Sequence, residues 1–498
     1  MLKMTTLSTI KNLISKLKRE ELKSLFKYLR YYQDSNTASK GKAIQLLEIL
    51  IERPELTSKD VQIAIYGKEN YQAFNKLLSR TKDKIYEVLL FDQNLAKPYY
   101  SDRNRVVFEI RKKLVQSEVL YLRGMTDELA SFQNKIISKA KDYELYDSLI
   151  QALQAKQRFL GFRFGKKAFD KIEKEILSFE QSRNAALRAR SFFTSIGAKI
   201  NQSVSPQEYK AELKDAIDKM EGDFEVTQSA TVGYYLFLLQ TEWFHIHEQY
   251  LEAESTLRRL LELVLNNTSI YTRVRHGEVL MNLANNEILL RDFHLAVKNA
   301  VDAKAFYETN SVPLDVAKEI EFYARFYKGE VDLAEKIIDE TYNSSRTSNT
   351  PFLFSKRAYL FACIKTIKGD IAKSNELLLD VKEIDKDKEG WNLGRRMLTI
   401  INRIELHELE SADLKVLGLE KFIKRILKFR HVRKRDVIIL RILLKLINEG
   451  FDFEKVYNQR KRYFDLLEGD DPEYRWKIKS PELLVFHEWF KSKMITQR

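Results

Sequence analysis

The sequence predicts an all-α protein built as a solenoid of helical hairpins, and three observations carry that prediction. Turn residues are scarce: 498 residues include 7 Pro and 16 Gly, against ordinary usage of roughly 5% and 7%. Hydrophobic residues make up 44% of the chain and recur at spacings of three and four, the period of a helix with one buried face. A small residue returns near the start of successive helices at intervals of 38 to 43 residues, as in a repeat array. Sandwiches, barrels and doubly wound α/β folds need far more turn residues. The apolar content, with 11% aromatics, argues against disorder.

The first 100 residues form a helical module. Apolar spacing predicts helices over 7–17 and 20–32, then one over 43–52 closed by Pro54. Thr57 and Asp60 have the spacing of a capping box opening a short helix over 61–66. Gly67 turns the chain, and 70–91 is a long helix with Phe74, Leu77, Leu78, Ile85, Val88 and Leu89 inward. Its outward face carries Gln72, Asn75, Lys76, Ser79, Arg80 and Lys82, broken by Asp83 and Glu87. This order resembles a helix-turn-helix or winged-helix module of bacterial regulators that place such a module ahead of a tetratricopeptide (TPR) array. The resemblance implies that Gln72, Asn75, Lys76, Ser79 and Arg80 contact DNA. The alternative is a structural helical cap.

Residues 101–412 read as the array. The clearest copies place Ala253, Ala296, Ala334 and Ala372 just after a turn, with weaker copies at Ala130, Ala168, Ala211 and Ala412. A small residue there lets the two helices of a hairpin close to about 8–10 Å. The preceding helices supply large residues on one face: Tyr234, Leu238 and Trp243; Leu280 and Leu283; Phe322 and Phe326; Tyr359 and Ile364. Gly-Asp, Gly-Glu and Arg-Asp pairs at the turns suit a glycine-type end after one helix and an acid opening the next. The pattern resembles the TPR motif, with longer helices than its usual 34 residues allow. The resemblance implies a right-handed TPR-like α-solenoid, with an irregular helical bundle as the alternative. Together with the loosely matching segment 486–493, it also resembles a group of uncharacterised TPR-like helical-repeat proteins of Bacteroidota, which carries no assigned activity.

Residues 413–498 read as a basic capping region. The segment 421–435 holds eight Lys and Arg and no acid. Phe422, Ile423, Ile426, Leu427 and Phe429 share one helical face, and the basic residues lie opposite. Lys424, Arg425, Lys428, Arg430, Arg433, Lys434 and Arg435 are therefore candidate contacts for nucleic acid or another anion. A solvated basic face over a core helix is the alternative. Arg460, Lys461 and Arg462 could extend the patch, and 481–490 reads as a final amphipathic helix.

Net charge is +14, unevenly spread. Successive hundreds carry +7, +8, −6 and −1, and 401–498 carries +6. Basic ends around an acidic middle suggest separate surfaces rather than a uniform polycation. The single cysteine, Cys363, excludes an intramolecular disulfide and fits a reducing, cytoplasmic setting. No run of about 18 uncharged apolar residues occurs. The acid-free first nineteen residues read as an ordinary helix, with an organellar transit peptide as the alternative.

Catalytic motifs are missing: no phosphate-binding loop, dinucleotide fingerprint, HExxH or GxSxG. His245 and His247 are two apart, which puts them on different sides of a helix; they read as one ring packing beside Trp243 and one facing solvent. Asp385, Asp387 and Glu389 read as a solvated loop, and Asp465, Glu468, Asp470 and Asp471 lack calcium-loop spacing. The sequence thus predicts no catalytic residues, no cofactor and no metal site. It predicts a scaffold whose concave surface holds a protein or peptide partner. The alternatives are a DNA-binding regulator with a sensor array, and an RNA- or ribosome-associated factor using the basic ends.

Overall fold

The computed structural model describes residues 6–17, 19–31, 41–90, 102–202, 205–309, 311–345, 351–383, 387, 390–427 and 432–496. Every regular element among them is a helix. The chain divides into two compact units, Met1–Ser101 and Asp102–Arg498.

The first unit holds α1 (Thr6–Lys16), α2 (Arg19–Tyr31), α3 (Lys42–Glu52), α4 (Ser58–Tyr66) and α5 (Tyr71–Leu90). Its core is Ile10, Leu25, Leu46, Leu47, Phe74 and Ile85, all nearly inaccessible. Both bonds of the Thr57–Asp60 capping box form, and Gly67 closes α4 at φ +72. Helix α5 packs on α1, α2 and α3. Gln72, Asn75, Lys76, Ser79 and Arg80 lie exposed on its other face and Lys82 is half-buried. Position 91, the expected end of α5, lies outside the described residues.

The second unit is a continuous succession: α6 (Asp102–Leu122), α7 (Thr126–Asp142), α8 (Tyr146–Phe164), α9 (Lys166–Asn201), α10 (Pro206–Thr227), α11 (Ala230–Ile246), α12 (Tyr250–Asn266), α13 (Arg273–Leu289), α14 (Phe293–Lys304), α15 (Val312–Tyr327), α16 (Val331–Ser345), α17 (Pro351–Ile367), α18 (Ile371–Leu379), α19 (Trp391–Glu405), α20 (Leu409–Ile426), α21 (Lys434–Asn448), α22 (Phe453–Glu468) and α23 (Phe486–Thr496). Each helix packs on the next from α6 to α23. Helices two apart also meet, as α13 with α15 and α17 with α19. This neighbour-by-neighbour packing is that of an α-solenoid. Position 412 falls inside α20, and α19–α23 share one core built on Ile400, Val416, Ile439, Leu443, Phe464 and Phe490.

The hairpins share one turn. Gly124, Glu144, Glu248, Arg291, Gly329, Gly369 and His407 all have left-handed backbones. After each, the next N–H donates to the carbonyl five residues earlier, as Asp292 to Glu287 at 2.9 Å and Glu330 to Arg325 at 2.9 Å. That is the C-terminal bond of a Schellman motif. From Glu248 onward, the fifth residue after the left-handed one is Ala253, Ala296, Ala334, Ser374 and Ala412, each 0% exposed. The sequence assigned this role to Ala372, which is exposed. Counting from Gly369 puts Ser374 there instead, bonded at 2.8 Å to Thr366. Ala130, Ala168 and Ala211 are not buried. Leu129 and Leu149 stand five residues after Gly124 and Glu144, and Ala168 and Ala211 begin long helices of 36 and 22 residues.

The charged run before α19 is not a solvated loop throughout. Asp387 is 5% exposed; its Oδ1 accepts from Gly390 N (2.9 Å) and Trp391 N (3.1 Å), and its Oδ2 from Asn392 N (2.8 Å). It caps α19, where the dipole favours an anion. Asp385 and Glu389 lie outside the described residues. The expected helix over 481–490 starts later, at Phe486, whose N–H donates to Glu482 Oε1 at 2.8 Å. Residues 469–485 are not helical. They turn back across the array.

Candidate functional site

The site is the face made by α11, α13, α15, α17 and α19, the first helices of successive hairpins, with residues 474–483 laid across it as a strap. The strap leaves α22, crosses these helices, and returns to α23. Why it is not helical is local: Gly469, Pro472 and Pro481 punctuate it, Asp471 turns the chain by accepting from Tyr474 N and Arg475 N, and Lys479 stands at φ +60.

Its outer half is held by polar contacts. Arg475 and Lys477 both pair with Glu248 in the turn after α11, Lys477 at 3.2 Å. Burial pushes the Glu248 carboxyl upward, but the two cations outweigh it and hold it below the usual range. The Lys479 N–H donates to Tyr327 Oη on α15 at 2.8 Å. The Lys479 ammonium donates to Asn285 on α13 and lies 5.4 Å from the centre of the Tyr323 ring. Trp476 stands edge-on to Tyr327 at 5.9 Å and donates from Nε1 to Glu482 O at 2.9 Å. Beside this half lies a cavity of about 540 Å³ bordered by Glu248, Arg291, Glu468, Arg475, Lys477 and His487.

The inner half is buried. Pro481, Glu482 and Leu483 are buried, and Leu483 joins the core of Tyr323, Phe361 and Trp391. Tyr359 Oη donates to Pro481 O. Gly394 on α19 makes room: a Cβ there would lie 2.7 Å from Tyr359 Oη and 3.1 Å from Pro481 O. Glu482 takes two bonds from Arg435, from Nε at 2.7 Å and from Nη2 at 2.8 Å. Arg435 also donates from Nη1 to Leu467 O (3.0 Å) and Tyr474 O (2.8 Å). His487 Nδ1 is 3.1 Å from Arg435 Nη2. Burial lowers the His487 pKa, and the Arg435 charge lowers it further. Burial raises the Asp436 pKa against the pull of Arg433.

These placements revise the basic-patch expectation. Arg435, expected as an anion contact, is 2% exposed, because a guanidinium with five donors can be buried only when a carboxylate and carbonyls satisfy it. Arg433 pairs with Asp436 at 2.8 Å, and Lys434 pairs with Glu473. Lys424 is exposed and paired with Glu420 at 2.7 Å. Arg425 is exposed, its guanidinium 5.3 Å from the Phe422 ring centre. Leu427 is exposed rather than on the buried face. Lys428, Phe429 and Arg430 lie outside the described residues. His245 is half-buried, its Nε2 at 2.9 Å from Asn286 Oδ1. His247 is the ring that packs beside Trp243, its centroid 4.1 Å away and its plane tilted by 41°.

Sequence reading missed the strap and its receivers Glu248, Tyr327, Tyr359 and Gly394. One signal pointed to it: Pro472 and Pro481 put two of the chain's 7 prolines within one short stretch. Among the described residues, no group of His, Cys, Asp and Glu is placed to hold a metal ion, and no helix is long and apolar enough to cross a membrane.

No protein-family model and no curated protein matches the chain. Solved structures similar to it include the following two. RapI in its apo form is 12% identical, over 78% of this chain and 97% of that one, with a TM-score of 0.44. A signal-transduction ATPase with numerous domains and a tetratricopeptide-repeat sensor, from Pyrococcus horikoshii, is 10% identical over 86% of this chain and 67% of that one, with a TM-score of 0.41.

Proposed function

We propose that the protein is a non-catalytic helical-repeat scaffold that binds a protein or peptide partner in the cytoplasm, on the concave surface formed by the first helices of its hairpins. One observation carries this reading: that face already holds a non-helical stretch of polypeptide, residues 474–483, through ion pairs, backbone bonds and aromatic contacts. Solenoids of this kind use their concave surface for binding. Cys363 supports the cytoplasmic setting only as an unreactive thiol; burial pushes its pKa up to about 12.

The test is capture from native cytosol with the full chain, followed by cross-linking and mapping of the contact residues. Cross-links from the partner to α11, α13 and α15 are expected. Cross-links confined to α12, α14 and α16, or to the first unit, would overturn the reading.

A second reading, DNA binding by the first unit, is favoured by the capped α4, the left-handed Gly67 and the exposed polar face of α5. Duplex binding by the full chain, at two salt concentrations, should then weaken on Asn75→Ala, Lys76→Ala and Arg80→Ala together. An unchanged affinity removes it. Lys424→Ser with Arg425→Ser tests an RNA-binding role in the same way.

A further inference from the structure

We propose that the partner segment is a basic peptide with interleaved aromatic or branched residues, and that it competes with the chain's own strap, 474–480, for Glu248, Asn285, Tyr323 and Tyr327. The proposal rests on the scaffold reading and narrows it to one surface and one chemistry.

The chemistry comes from the occupant. Arg475, Trp476, Lys477, Ile478 and Lys479 alternate cation and ring or branched side chain. Glu248 takes the first two cations and Asn285 the third. Tyr323 faces the Lys479 ammonium and Tyr327 faces Trp476. Cation over ring and indole against phenol are contacts of short range and defined geometry.

That the strap is displaceable follows from how unevenly it is anchored. Residues 481–483 are buried, while 471–480 are half-buried or exposed. The cavity of about 540 Å³ borders the outer half, so lifting that half exposes space already open to water. Lys479 stands at φ +60, a conformation unfavourable for a side-chain-bearing residue. A separate peptide, free of the fixed ends at α22 and α23, need not adopt it. An occupant tethered in cis has a high effective concentration, so the free face is seen only when the tethered copy is weakened.

The experiment uses the full chain and a labelled peptide of sequence 472–482, read by fluorescence anisotropy. In an opened variant, Arg475→Ser, Trp476→Ala, Lys477→Ser and Lys479→Ser together, the peptide should bind at least tenfold more tightly than to the wild type. Adding Glu248→Lys to the opened variant should weaken it at least tenfold, and a scrambled peptide should bind no better than to the wild type. Circular dichroism checks that the opened variant stays helical. Should it not, Glu248→Lys alone replaces it: Trp476 fluorescence should shift toward that of exposed indole. Equal peptide binding by wild type and opened variant overturns the proposal, as does binding indifferent to Glu248→Lys or to scrambling. A captured partner cross-linked to this face but not displaced by the peptide refutes the basic-peptide chemistry and leaves the scaffold reading standing.

Discussion

Glu482→Ala should loosen the C-terminal helices more than any other single change at the strap. The substitution leaves Arg435 charged, 2% exposed and short of both its carboxylate bonds, at 2.7 and 2.8 Å. Each charge-assisted bond contributes about 1.5–3 kcal/mol, and Glu482 also caps α23 through Phe486 N, which adds about 1 kcal/mol. The two carbonyls of Leu467 and Tyr474 still hold Nη1. The net cost should fall in the range for breaking a buried pair, about 3–5 kcal/mol. Hydrogen exchange of amides in α21–α23 reads this directly, because an array need not unfold as one unit. A loss of about 4 kcal/mol raises the local opening equilibrium roughly a thousandfold. The control is Arg435→Met with Glu482→Leu, which removes both charges and keeps the volume; it should stay within about 2 kcal/mol of wild type. If the single variant costs less than about 1 kcal/mol, or the double variant opens as easily as the single, the pair does not hold the strap's root by charge.

Gly394→Ala should destabilise the same helices by about 1–3 kcal/mol through the clash with Tyr359 and Pro481, while Gly418→Ala on α20, where a Cβ meets nothing within 4 Å, should stabilise by up to about 1 kcal/mol; denaturation midpoints separate them. His407→Gly should stabilise by about 1 kcal/mol, because His407 sits at φ +56, and a lowered denaturation midpoint would refute this. As pH falls, His487 should weaken the C-terminal region. Its folded pKa is lowered, so the neutral ring's contribution is complete above the unfolded value of about 6.5 and is lost as pH drops through the folded value. His487→Gln should flatten the pH dependence of amide protection in α23 between pH 7 and 5, with Arg435, Glu482, Glu468 and Glu488 left in place around it.

The hairpins were legible because glycine and a following acid mark a turn chemically. Gly329 and Gly369 could be read that way. Arg291 could be read from its following acid, Glu248 from the small residue after it and His407 from the weaker copy at Ala412, while Glu144 gave no such mark: the same left-handed turn at all four falls on a side chain that disfavours it. The slip from Ser374 to Ala372 has the same origin, since the small-residue signal favoured alanine while the turn fixed the count. Capping at Thr57 and Asp60 is a local interaction and was read correctly. The strap was illegible because its receivers, from Gly394 to Glu248, are 87 to 229 residues away in sequence. Arg435 shows the same limit: among seven other cations it reads as surface, and only the fold brings Glu482 to it from 47 residues away.

The sequence separation across the strap also sets an order in time. Arg475 and Glu248 are 227 residues apart. At synthesis rates of about 5–20 residues per second, α11 emerges roughly 11 to 45 seconds before its strap exists. For that interval each hairpin can fold on its neighbours, with no distant contact to wait for. The strap then ties late-made chain to early-made chain. It adds contacts between distant parts of the chain to what is otherwise a line of neighbour contacts.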